Sequence, residues 1–316
     1  MLKPKILVAM QTYTLATSEG YSIVLTQFET DAPKGIVLVN AAMGISQRYY
    51  ASFALYLVSQ GFTTITYDYR GIGKSAPVIL RQDFKAGFKE MAGDLEILID
   101  YIKQRYSDLP LGIVGHSIGG VFPILIPNIG QVDAFFTVGT QMAHTPDFGP
   151  TWWKRQKISF LWFQIMPFLT KCFGYFPGRK LKLGLENMPA QFIKELLLRS
   201  HFENIFDFLA ERNINEYHTS LHAPTLALTA SDDPICTQKA IYRLFGQLKH
   251  TPVQYQFIEP KTVGVKQIGH NRFFSTQFST TLWPIAAEWF EKYLAPLPPK
   301  GKFGHSDIVA QTISTL

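Results

Sequence analysis

Cysteine is scarce in this 316-residue chain: Cys172 and Cys236 are the only two, and they stand far apart in unrelated contexts. That excludes a disulfide framework and a C-x-x-C zinc site, and it fits a reducing compartment, so the expected location is cytoplasmic. No H-E-x-x-H or clustered His/Asp spacing occurs, and no G-x-G-x-x-G follows a strand, so neither a metal nor a dinucleotide cofactor is expected. Clean apolar runs are missing too. The nearest, Ile158 to Phe176, is interrupted by Gln164, Pro167, Thr170 and Lys171 and falls short of the roughly 20 apolar residues of a membrane span. Ile6 to Met10 is shorter than the roughly 7–15-residue apolar region of a signal peptide, and no targeting segment is expected. One-sided charge is also lacking. The 30 Lys+Arg are balanced by 24 Asp+Glu, dispersed along the chain, which argues against a nucleic-acid partner. What is abundant is aromatic side chain, 14% of residues, enough to fill one large core.

Short β-branched and aromatic runs alternate with helical periods. Ile6 to Thr14 and Tyr21 to Phe28 read as strands joined through Gly20. Gly35 to Ala41 is an almost unbroken apolar run, the mark of a strand buried on both faces. Phe62 to Tyr69, Leu111 to His116, Ala134 to Gly139, Pro224 to Ala230 and Val253 to Ile258 continue the series. Between them, Phe84, Phe88, Met91, Leu95 and Ile102 trace one apolar helix stripe, and Leu282, Ile285, Ala286, Trp289 and Tyr293 another. Strand–helix alternation of this kind builds crossover units and a mostly parallel sheet with both faces covered. The alternation fails from 140 to 222, where no strand is expected and aromatics mix with basic residues. The expected division is therefore a core over 1–139 and 223–295, an inserted helical cap over 140–222, and a tail over 296–316.

Gly115-His116-Ser117-Ile118-Gly119 ends one strand and is expected to open an apolar helix through Val121 to Ile126. This is G-x-S-x-G in the context it requires: a serine on a tight strand-to-helix turn, Oγ raised clear of the sheet, with amides behind it to receive an oxyanion. A hydroxyl needs a base, and His270 is the best-placed histidine, after the last strand and before the last helix. The imidazole needs a carboxylate. Asp232 and Asp233 follow the Thr225 strand directly, and Asp233, next to Pro234, is favoured, with Asp232 the alternative and otherwise a turn cap. The order Ser117, Asp233, His270 differs from the trypsin-like and subtilisin-like orders. The backbone amides of Ala42 and Ile118 are the expected oxyanion donors, with Met43 the one-residue alternative. Candidate pocket residues are His144, Trp152, Trp153 and His116, although the elbow geometry turns the His116 side chain from the active centre itself.

Together these residues resemble the α/β-hydrolase superfamily over about 5–294. Asp68 to Ser75 (DYRGIGKS) resembles its D-x-R-G-x-G-x-S loop, a structural turn. The phrases NAAMG from Asn40, FGYFPGR from Phe173 and GVKQIGHNRFF from Gly264 are similar to a mainly bacterial group of hydrolases near the serine-aminopeptidase and monoacylglycerol-lipase-like branch. Asn40 stands where a His-Gly dipeptide is common, a departure beside the oxyanion loop. The resemblance implies an α/β fold with an eight-stranded, mostly parallel sheet, helices on both faces and a helical cap; it implies no substrate. Serine at position 117 argues against relatives that form their ester intermediate on an aspartate. The expected activity is that of a serine esterase or lipase-like carboxylic-ester hydrolase acting on uncharged acyl esters of small molecules. The alternatives are an acyltransferase or peptidase with the same triad, or a binding protein that never turns its ligand over. The basic, aromatic cap adds an expected peripheral contact with membrane or lipid.

Overall fold

The computed structural model describes residues 9–149 and 151–294. Among the described residues ten strands form: β1 (Ala9–Ala16), β2 (Ser22–Glu29), β3 (Gly35–Asn40), β4 (Phe62–Tyr67), β5 (Leu111–His116), β6 (Ala134–Val138), β7 (Tyr175–Pro177), β8 (Asn187–Pro189), β9 (Thr225–Ala230) and β10 (Val253–Ile258). Eight of them make one sheet in the order β1-β2-β4-β3-β5-β6-β9-β10. The β1–β2 and β2–β4 pairs are antiparallel and every other pair is parallel. β3, β4, β5, β6 and β9 are buried at every position, which is why these segments lack polar alternation.

The helices are α1 (Ala51–Ser59), α2 (Phe88–Arg105), α3 (Trp152–Phe160), α4 (Met166–Phe173), α5 (Ala190–Arg199), α6 (Ile205–Glu211), α7 (Gln238–Phe245) and α8 (Trp283–Leu294). Helices cover both faces of the sheet. A Cβ on Gly112 would meet Phe290 and Leu294 of α8, whereas one on Gly115 would meet the backbone of Gly120. Three residues apart on β5, these glycines face opposite ways. The turns beyond Gly120 in turn pack against α2.

Two expectations are corrected. The apolar stretch after Ser117 is no α-helix but three short 3₁₀ turns, Ser117–Gly120, Phe122–Leu125 and Pro127–Gln131. Pro123 and Pro127 lack the N–H that a helix would use, and each ring crowds the carbonyl four residues back. Between β6 and β9 a strand pair does occur: β7 and β8 run antiparallel. They are three residues long, too short for a period to show, and each ends on proline. The tail expected over 296–316 and residues 6–8 of the first expected strand lie outside the described residues.

Candidate active site

Ser117 follows β5 with φ +54°, a left-handed backbone that a non-glycine residue adopts only under constraint. The constraint comes from close approach on both sides. A Cβ at Gly115 would lie 2.5 Å from the Gly120 Cα, and one at Gly119 would lie 2.4 Å from the Asn40 carbonyl oxygen. Asn40 Nδ2 donates to the Gly119 carbonyl at 3.1 Å, lashing the elbow to the loop after β3. The asparagine thus does its work between the two loops.

Ser117 Oγ lies 2.9 Å from His270 Nε2, and His270 Nδ1 lies 2.7 Å from Asp233 Oδ2. An ionised carboxylate only accepts, so Nδ1 carries the proton and Nε2 is left to accept from the serine hydroxyl. Asp233 is buried, which by itself raises its pKa. The His270 charge and hydrogen bond, with the amides of Cys236 and Ile235 on its other oxygen, outweigh this and hold it below the usual carboxylate range. The Asp232 carboxylate faces elsewhere. It accepts from the amides of Ile268 and Gly269, both at 3.0 Å, and so pins the loop that carries His270.

The expectation of Ala42 as a free amide donor is corrected. Its amide donates to Tyr50 Oη at 2.9 Å, whereas the amides of Met43 and Ile118 have no acceptor among the described residues. Tyr50 Oη is 2.7 Å from His116 Nδ1, and His116 Nε2 is 3.0 Å from the His270 carbonyl. That carbonyl only accepts, so Nε2 bears the His116 proton and Nδ1 accepts from Tyr50. One hydrogen-bonded chain therefore runs from the loop after β3 to the backbone of the loop that carries His270. No motif announced Tyr50, because its role depends on a partner 66 residues away.

Above Ser117 lies a cavity of about 360 Å³. Ser117, His270, Met43 and Ile118 form its floor, and residues between β6 and β9 line much of the rest, including Leu161, Trp162, Met166 and Phe176. Trp162 belongs to a π turn, Leu161–Ile165, that joins α3 to α4 and accommodates Pro167 at the start of α4. The other candidate pocket residues are corrected. Trp152 and Trp153 are 56% and 74% exposed, one turn or more upstream of the cavity. His144 and His116 are buried elsewhere, and none of the four lines the cavity. Arg199, which sequence reasoning missed, does line it. The signal was present: Phe192, Leu196 and Arg199 follow i, i+4, i+7 spacing, which puts the arginine on the buried stripe of α5. The D-x-R-G-x-G-x-S loop is a structural turn. Asp68 accepts from Gln47 and Lys74, and Arg70 forks onto buried Asp94. Among the described residues no group of three or more His, Cys, Asp or Glu is arranged to hold a metal ion.

The sheet order, with the serine turn after β5 at the floor of the cavity, is that of one known fold. The protein has the α/β-hydrolase fold. Residues 31–173 match the family model described as serine aminopeptidase, S33. No curated protein matches the sequence. Among solved structures, the chain is similar to a soluble variant of monoglyceride lipase from Saccharomyces cerevisiae, at 16% identity and TM-score 0.65, over 92% of this chain and 96% of that one. A thermostable carboxyl esterase from Bacillus coagulans matches at 16% identity and TM-score 0.62, over 91% of this chain and 100% of that one. An esterase from Pyrococcus furiosus matches at 12% identity and TM-score 0.61, over 91% and 92%.

Proposed function

We propose that the protein is a serine hydrolase of carboxylic esters, working through an acyl-enzyme. The observation that carries this is the Asp233–His270–Ser117 hydrogen-bond chain, with 2.7 and 2.9 Å links, at the floor of an apolar cavity. As Oγ bonds to the ester carbonyl carbon, its proton passes to His270 Nε2, and Asp233 stabilises the imidazolium through Nδ1. The amides of Met43 and Ile118 receive the negative oxygen. His270 then protonates the departing alkoxide, the C–O bond to the alcohol breaks, and water, deprotonated by the same nitrogen, releases the acid and restores Ser117.

An aminopeptidase reading, suggested by the name of the matched family model, is less well supported. A peptide's free amine calls for a carboxylate, and among the described residues no Asp or Glu lines the cavity. A peripheral lipid contact belongs to the same proposal. Trp152, Trp153, Phe160 and Phe168 are exposed next to Lys154, Lys157 and Lys171, and Leu161 is both exposed and part of the cavity wall.

Fluorophosphonate labelling with p-nitrophenyl ester turnover tests the assignment. Ser117→Ala should abolish both, and Asp233→Asn should lower kcat on the order of 10⁴-fold. Asp232→Asn should cost far less, since its carboxylate acts on the loop and not on the imidazole. Labelling retained in Ser117→Ala, or a larger loss in Asp232→Asn than in Asp233→Asn, would overturn the assignment.

A further inference from the structure

Arg199 is 1% exposed, at the C-terminal end of α5, and lines the catalytic cavity. A guanidinium carries five donors and stays charged, so burying one without an anion is costly. Yet no carboxylate stands against it among the described residues. The nearest acid on its own helix, Glu195, is engaged by Arg212, Gln191 and the Phe88 amide. What Arg199 has is one 3.4 Å hydrogen bond from Nη1 to the Gln141 carbonyl and the Phe88 ring 5.4 Å from its central carbon. Its Nε has no acceptor at all. Burial alone drives its pKa down to about 9, with no opposing ion to hold it up. Other buried charges among the described residues have partners, Asp94 with Arg70 and Asp147 with Arg243 for example. Arg199, without one, faces the substrate space.

We propose that Arg199 is the specificity-determining residue of this hydrolase and that its missing partner is a carboxylate on the substrate, an ester whose apolar portion also carries an acid group. This rests on the esterase reading and revises the expectation of uncharged esters. The planar fork of the guanidinium matches the two oxygens of a carboxylate. A single cation balances a carboxylate's one charge but leaves a phosphate monoester, at about −1.5 to −2, undercompensated. The rest of the lining, with Leu161, Trp162, Met166, Phe176 and Leu196, suits a hydrocarbon spacer between ester and acid.

The test compares p-nitrophenyl esters of matched length, methyl-ended against ω-carboxylate, from four to ten carbons, on the wild type, Arg199→Met and Arg199→Lys. At its best length the wild type should favour the carboxylate ester in kcat/KM by about tenfold or more. That ratio should fall by about 10–100-fold in Arg199→Met and recover in part in Arg199→Lys. Suberate should bind Ser117→Ala in calorimetry and not the Ser117→Ala/Arg199→Met double variant. Because the methionine removes an unpaired buried charge, Tm should not drop. A wild-type preference for neutral esters at every length, with no suberate binding, would overturn the proposal while leaving the esterase reading intact. So would a fall in Tm with the ratio unchanged, which would make Arg199 structural. If fluorophosphonate labelling and ester turnover both fail, the esterase reading falls, and suberate binding to Ser117→Ala still decides the role of Arg199.

Discussion

His116 does not line the cavity, yet by way of Tyr50 and the His270 carbonyl it joins the loop after β3 to the loop that carries His270. Complete burial, with the neighbouring His270 charge, pulls its pKa down to about 3. An unfolded histidine titrates near ~6.5, so below that pH the unfolded chain binds a proton that the folded one refuses. The stability contributed by neutral His116 is therefore complete above ~6.5 and is lost as pH falls toward the folded value, at about 1.4 kcal/mol per pH unit. Urea melts of the wild type and His116→Gln between about pH 6.5 and pH 4.5 check this. The stability advantage of the wild type should shrink with that slope on acidification, and parallel curves would show that His116 titrates without hindrance.

At the scale of elements, the elbow and the loop after β3 are held at a spacing that only glycine at position 119 permits. The Asn40 and Ala41 carbonyl oxygens would lie 2.4 and 2.6 Å from an added Cβ, and both belong to backbone that has no side-chain freedom to swing aside. Gly119→Ala should destabilise by about 1–3 kcal/mol and separate the Ile118 amide from that of Met43. Fluorophosphonate labelling should then slow by about tenfold or more. Unchanged labelling kinetics would mean that the spacing of the proposed oxyanion donors is set elsewhere. The three 3₁₀ turns in place of a helix belong to the same economy of space, because Pro123 frees the Gly119 carbonyl to take the Asn40 amide.

Across the whole molecule, the sheet supplies a rigid floor, and the segment between β6 and β9 supplies both the cavity wall and an outer face. α3 and α4 carry exposed Trp153, Phe160 and Phe168 beside lysines, and no helix among the described residues is long and apolar enough to cross a membrane. Such a face suits shallow, charge-assisted contact with a lipid surface. The protein should cosediment with phosphatidylglycerol-containing vesicles more than with phosphatidylcholine vesicles, and less as salt is raised. A Trp153→Ser/Phe168→Ser variant should lose the interaction with ester turnover on soluble substrates retained. Equal binding to both vesicle types, or none, would assign the aromatics another role.

The strand series, the serine elbow and the turns that carry Asp233 and His270 were legible in the sequence because each depends on neighbours within a few residues: a period, a glycine pair, a turn after a strand. The three-residue strands β7 and β8 were not, since a pairing that short leaves no period. Nor was the fate of the Ala42 amide, which Tyr50 takes up from α1's leading turn, shifting the free donor to Met43. Trp152 and Trp153 looked like pocket residues by type, but helical phase and the π turn send Trp162 inward in their place. Arg199 shows the division most clearly. Its place on the apolar stripe of α5 follows from spacing, but its want of a counter-ion among the described residues depends on what distant segments bring within reach, and that is decided only when they close around one cavity.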